Sequence, residues 1–277
     1  MALLDVKNLK VSFKTARGIY NAVKGVSFKI DEGEVFALVG ESGAGKSITA
    51  RAILRLVGDN SIIEGEILWK DRDLLKLDEK EMRKLRGAEI AMVFQNPQMA
   101  LNPAFTIKKQ FEEVIKLHNP GLTKDSIIEM MKNLLGLVQA EHLFSRIDDY
   151  PHQFSVGEAQ RIFLGMVLAC KPKLLIADEP TSGLDVTVQS EILSLLKDIR
   201  EKFNTAILLI SHDLAIVSSI ASRIAVMYKG EIIECDVPEK IFLEPQHSYT
   251  EKLINSIPVP KILFANKINK INNEGSV

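Results

Sequence analysis

Between residues 3 and 38, apolar and polar positions alternate: Leu4 and Val6, Val11 and Phe13, then Val23, Val26, Phe28 and Ile30, with Gly18, Gly25 and Gly33 between the runs. A period of two sends successive side chains to opposite faces, so this stretch predicts an antiparallel β layer with turns at the three glycines. Glu34-Val35-Phe36-Ala37-Leu38-Val39 then reads as a buried strand. From 48 to 57 the apolar residues recur at helical spacing, and Gly58 is the expected stop. Strands follow at 62–69 and 88–94, with a charged surface helix expected over 77–85 between them.

The period changes at about residue 108. Phe111, Val114, Ile115 and Leu117, then Ile127, Ile128, Met131, Leu134 and Leu135, repeat at three and four, which predicts a helical segment inserted between strands. The α/β pattern resumes with a strand at 173–177, a helix at 188–203, a strand at 206–210 and a helix at 214–222. Two further strands, 223–228 and 231–234, are expected to pair around Lys229-Gly230. The polar, Asn/Lys-rich stretch 266–277 reads as a disordered tail.

Gly40-Glu41-Ser42-Gly43-Ala44-Gly45-Lys46-Ser47 lies between the predicted strand and the helix. It fits the phosphate-loop pattern G-x-x-x-x-G-K-[ST] in full. The glycines let successive N–H groups face one concavity, where phosphate oxygens bind. Lys46 sets an ammonium against the β- and γ-phosphates, and Ser47 offers a hydroxyl to Mg²⁺. A helix beginning there aims its positive end at the same anion. The chemistry expected is nucleoside triphosphate binding.

Composition changes little in this picture. Apolar content of 46%, charged content of 26% and a formal net charge of −1 are ordinary for a globular chain and give no global attraction to nucleic acid. No apolar run approaches the ~18 residues of a membrane span. The N-terminus lacks a secretion signal's basic and long apolar regions. Cys170 and Cys235 sit in apolar stretches and are expected to be buried free thiols.

The strand that ends in Asp178-Glu179 narrows the reaction class. Asp178 emerges at a strand's carboxyl end, placed to hold Mg²⁺ through water, and Glu179 follows as general base for the attacking water. Gln95 ends its own strand and is expected to reach Mg²⁺ and that water. His212 ends another and is expected to contact the γ-phosphate. Tyr20, about 20 residues ahead of the loop, offers an aromatic face on which adenine can stack.

In their order and spacing, Tyr20, Gly40 to Ser47, Gln95, Ser155-Val156-Gly157-Glu158-Ala159-Gln160, Leu174 to Glu179, Ser182-Gly183-Leu184-Asp185 and His212 resemble the nucleotide-binding subunit of an ATP-binding cassette (ABC) transporter, over residues 3 to about 258. The resemblance implies an α/β P-loop NTPase (RecA-like) core with an N-terminal antiparallel β subdomain and an inserted helical subdomain at approximately 96–165, forming one domain over 1–265. It implies ATP and Mg²⁺ as cofactors, with Ser47, Gln95 and Asp178 toward the metal. It also implies that Ser155, Gly157, Glu158 and Asp185 are lent to the nucleotide held by a second ATPase subunit. Further implied partners are two transmembrane permease subunits and, indirectly, an extracytoplasmic solute-binding protein, at the cytoplasmic face of the cell membrane and with no nucleic acid.

Finer features are similar to the oligopeptide, dipeptide and nickel import branch: Phe94-Gln95-Asn96-Pro97-Gln98-Met99-Ala100-Leu101-Asn102-Pro103, Tyr150-Pro151-His152-Gln153 and His247-Ser248-Tyr249-Thr250. The implied solute is a peptide or, as in archaeal relatives, an oligosaccharide. The alternative is a soluble cassette ATPase acting on ribosomes or DNA, but such proteins usually fuse two cassettes or carry a long coiled coil. One departure stands out. Where the family signature has its first glycine, this chain has Val156, a β-branched residue expected to restrict the backbone and add bulk. That defect favours a paralogous partner over a homodimer.

Overall fold

The computed structural model describes residues 2–256, so the tail expected at 266–277 lies outside the described residues. Two compact units are present: 2–76 with 208–256, and Leu77–Ile207.

The first unit opens with β1 (Leu4–Thr15), β2 (Gly18–Ile30), β3 (Val35–Val39), α1 (Lys46–Ile53), β4 (Ser61–Trp69) and β5 (Arg72–Asp73). One sheet has the order β2-β1-β4-β5, with antiparallel pairing from Leu4↔Ile30 to Thr15↔Gly18. Most of the alternation is as predicted: Leu4, Val6, Val11, Val23, Val26, Phe28 and Ile30 are buried, while Phe13 is half-buried near the end of β1. Gly25 does not turn the chain. The register slips there from Leu9↔Val26 to Lys10↔Lys24, so Gly25, at φ 105°, is the extra residue of a β-bulge. Helix α1 also stops short of the expected 57. Arg55 takes the left-handed conformation (φ 53°), and Leu56 N–H bonds back to Arg51 O at 2.8 Å. This Schellman closure needs no glycine here.

The second unit runs α2 (Glu79–Leu85), β6 (Ile90–Val93), α3 (Pro97–Ala100), α4 (Ile107–His118), α5 (Lys124–Leu137), α6 (Val156–Leu168), β7 (Leu174–Asp178) and α7 (Val186–Phe203). Its helices start where side-chain oxygens satisfy the first-turn amides: Asp78 for α2, Thr106 for α4, Thr123 for α5, Ser155 for α6 and Asp185 for α7. Of the stripes read at three and four, Phe111 and Ile115 on α4 and Ile127, Met131, Leu134 and Leu135 on α5 are buried, Val114 and Ile128 are half-buried, and Leu117, at the far end of α4, is exposed instead. Strands β6 and β7 are parallel, from Ile90↔Leu174 to Val93↔Ala177. Val93 and Ala177 therefore stand side by side where each strand gives way to a loop.

Within β8 (Ala206–Ser211) the chain passes back to the first unit, then forms α8 (Leu214–Ser218), β9 (Arg223–Tyr228), β10 (Glu231–Asp236), α9 (Pro238–Leu243) and α10 (Ser248–Asn255). Strands β9 and β10 form the expected hairpin, with Tyr228 opposite Glu231. Strand β3 lies parallel to β9. Helix α8 ends before the expected 222, and helices α9 and α10 were not legible as an apolar period. Cys170 is half-buried and Cys235 exposed, which corrects the expectation that both are buried. Cys235 lies on β10, a strand at the end of its sheet.

Candidate functional site

Strand β3 feeds the phosphate loop, and α1 begins at Lys46. Gly40 (φ 152°) and Gly45 (φ 106°) hold the curl. A Cβ at Gly40 would run into the Met227 carbonyl oxygen, and one at Gly45 would come within 2.6 Å of Ala22 O. Gly45 caps α1 without any side-chain bond, so the helix start is left to face a ligand. Lys46 is only 4% exposed. Its ammonium donates to Gly40 O at 2.7 Å and Glu41 O at 2.9 Å. These carbonyls stabilise a buried cation that a phosphate can take over through stronger, charge-assisted bonds. Ser47 follows, half-buried, in the first turn of the helix, while Glu41, Ser42 and Gly43 are exposed and Ala44 is buried. Two braces hold the loop from outside: Gly230 N–H donates to Ala44 O at 3.0 Å, and Glu41 N–H donates to the Tyr249 hydroxyl at 3.0 Å.

Two other predicted residues belong to the same unit. Tyr20 lies on β2 opposite Phe13 and is 57% exposed, beside an open hollow lined by Arg17 and Ile19. Its ring face is available for stacking. His212 is exposed just past β8. Asp213 fixes the turn that presents it by accepting from Ala215 N–H at 2.9 Å and Ile216 N–H at 3.1 Å.

In the second unit, Asp178 ends β7 and is 1% exposed. Glu179 follows in the left-handed region at φ 48°, a conformation that costs a non-glycine residue about 1–3 kcal/mol and gathers at functional sites. The β6–β7 pairing sets Gln95 beside it: Gln95 Nε2 donates to Glu179 Oε2 at 3.0 Å. The amide oxygen of Gln95 takes no part in that bond. It and the Asp178 carboxylate of the same unit are hard oxygen donors, the kind Mg²⁺ accepts.

The signature stretch begins α6. Ser155 Oγ accepts Glu158 N–H at 3.2 Å, and Glu158 Oε2 accepts Ser155 N–H at 2.8 Å, forming a capping box. Burial alone would raise the Glu158 carboxyl, but bonds from Ser155 and the charge of Arg146 outweigh it and hold it below its usual value. Val156 is the first helical residue and is 40% exposed. It is not among the positive-φ residues, so the backbone there suits a β-branched residue. The expected backbone restriction is thereby corrected, and only the added bulk remains. Gly157, next on α6, is half-buried. Asp185 is exposed and caps α7 through Val188 N–H at 3.0 Å.

Three residues of these surroundings were missed. Arg146 donates to Gln153 O at 2.8 Å and lies over the Phe154 ring, bracing the approach to α6. Gln189 donates to Leu184 O at 3.0 Å and Thr181 O at 3.3 Å, which holds the loop before Asp185. Tyr249 braces the phosphate loop. Only Tyr249 carried a sequence signal, as part of a quoted motif without an assigned role.

Residues 23–182 match the family profile described as ABC transporter. The chain is 46% identical over 258 residues to the oligopeptide transport ATP-binding protein OppD of Bacillus subtilis, covering 92% of this chain and 72% of that protein. It is 46% identical over 262 residues to the dipeptide transport ATP-binding protein DppD of Haemophilus influenzae, covering 93% and 78%. Among solved structures, the dimeric ATP-binding cassette MJ0796, in a post-hydrolysis state bound to ADP and Pi, superposes with a TM-score of 0.76 at 28% identity, covering 85% of this chain and 98% of that one. The cassette cbiO1 from Clostridium perfringens, part of the cbiONQ transporter complex, gives 0.74 at 28% identity, covering 97% and 99%. With its α/β P-loop fold and phosphate loop, this chain belongs to the ABC transporter family, as an ATP-binding, ATP-hydrolysing subunit.

Proposed function

We propose that this chain energises the import of peptide-like solutes. The observation that carries the reading is 46% identity, over more than nine-tenths of the chain, to ATP-binding proteins named for oligopeptide and dipeptide transport. Lys46 and the amides at the start of α1 bind the phosphates, and Tyr20 stacks on the base. Glu179 accepts a proton from the attacking water, Gln95 orients that carboxylate, and His212 contacts the γ-phosphate. Ser47, Asp178 and Gln95 would hold Mg²⁺, which when bound neutralises charge on the phosphate oxygens. Ser155, Gly157, Glu158 and Asp185 serve the nucleotide of a second ATPase subunit. The bulk of Val156 favours a paralogue with a glycine there.

No described helix is long and apolar enough to cross a membrane. Attachment to the cytoplasmic face comes through two permease subunits, received by the helical stretch at about 96–165. A solute-binding protein delivers the substrate to those permeases. The test is to purify the tagged chain from detergent-solubilised membranes and reconstitute what accompanies it. The expected result is copurification of two hydrophobic permeases and a second ATPase, and ATP-dependent uptake of labelled oligopeptides into proteoliposomes. Recovery of the chain with ribosomes or nucleic acid, and without membrane proteins, would contradict it.

A further inference from the structure

The peptide between Gly40 and Glu41 is held at both of its polar ends. Its carbonyl oxygen, Gly40 O, accepts from the Lys46 ammonium at 2.7 Å. Its N–H, on Glu41, donates to the Tyr249 hydroxyl at 3.0 Å. Tyr249 is 208 residues away in the chain, on the first turn of α10, and only 7% exposed. Its ring is stacked on Tyr228, with centroids 4.1 Å apart. His247 caps α10 by accepting Tyr249 N–H at 3.0 Å, and Glu234 accepts His247 N–H at 3.3 Å. The hydroxyl is thus carried by a seated ring on a capped helix. Burial raises the phenol's pKa, so it stays neutral across the working range.

We infer that Tyr249 is a positioning residue for the nucleotide site, fixing the first peptide of the phosphate loop from α10. Glycine at position 40 makes this peptide easy to rotate, because no Cβ restrains the torsions on its amino side. Lys46 and Tyr249 share the restraint on this peptide. When Lys46 turns to a phosphate, its hold on Gly40 O weakens and the Tyr249 bond keeps the peptide from flipping. A loop ordered before the ligand arrives binds it more tightly than one ordered by it. The inference rests on the phosphate-loop reading, and it adds a role for the otherwise unassigned His247-Ser248-Tyr249-Thr250 stretch.

The test compares Tyr249→Phe, Ile254→Val, Lys46→Ala and wild type for ATP affinity, steady-state kinetics and Tm. Tyr249→Phe keeps the ring and its stacking but removes the acceptor. It is expected to weaken ATP binding and raise KM by roughly two- to tenfold, the range of one neutral hydrogen bond, with kcat within about twofold and Tm close to wild type. Ile254→Val trims a buried side chain of the same helix and should lower Tm while leaving KM unchanged. If Tyr249→Phe binds ATP like wild type while Lys46→Ala does not, the inference fails and the phosphate-loop reading stands. If KM follows Tm equally in Tyr249→Phe and Ile254→Val, Tyr249 is merely structural and the inference also fails. Wild-type affinity in both Tyr249→Phe and Lys46→Ala would overturn the two together.

Discussion

Glu179 carries its carboxylate on a backbone that an L-residue adopts reluctantly, at φ 48°. Buried neighbours on both sides, Asp178 and Pro180, leave that torsion little freedom. Glycine tolerates such a φ at no steric cost, so Glu179→Gly should abolish hydrolysis while leaving Tm unchanged or raising it by a few degrees, despite the lost bond from Gln95. A large fall in Tm would show the strain to be absent. Val156 makes a second test at this scale. With its backbone unstrained and its side chain 40% exposed, only its bulk can impede a neighbouring nucleotide. Val156→Gly should therefore speed ATP turnover by the isolated chain, and an unchanged steady-state rate would show that the valine is tolerated. The positions of Asp178 and Glu179 were legible in the sequence because acidic residues close an apolar strand there, and that of Lys46 because it completes the phosphate-loop pattern at the start of a helix. Arg146 and Gln189 were not: both bonds from Gln189, and the bond by which Arg146 braces Gln153, go to carbonyl oxygens, which no residue type announces.

Among the elements, strands with a buried face were the most legible, since a period of two survives wherever one side of a sheet is covered. Boundaries fared worse when an unexpected residue took the special torsion, as Arg55 does at the end of α1. The bulge at Gly25 was read as a turn because glycine signals a positive φ without saying which structure uses it. Gly25→Ala should cost about 1–3 kcal/mol, since the torsion is unfavourable and the new Cβ would approach Asn8 Oδ1 at 2.7 Å; thermal denaturation measures it. Helix α6 gives a pH test. Its cap holds the Glu158 carboxyl below its ordinary value, so the folded state favours the ionised form. That stabilisation is fully present above the ordinary carboxylate range and is lost as pH falls through the lowered value. Replacing Glu158 by Gln should therefore lower Tm at neutral pH, and the gap from wild type should close in acid. A gap independent of pH would mean that the charge contributes nothing.

For the molecule as a whole, the order of motifs along the chain interleaves the two units. The phosphate loop and His212 belong to the first, while Gln95, the signature and Asp178-Glu179 belong to the second. The family was legible from that order, as the 46% identity to OppD bears out. The division into units was not, because it depends on which strands pair across long stretches of chain. The chain hydrolyses ATP, and the proposed machinery has Glu179 as the base and Lys46 on the phosphates. The most direct measurement is steady-state ATP turnover, together with ATP affinity, of purified wild type and Glu179→Gln. Glu179→Gln should bind ATP as tightly as wild type and turn it over roughly 10²–10⁴ times more slowly, the loss expected of a missing general base. Hydrolysis by Glu179→Gln at close to the wild-type rate would contradict that role for Glu179.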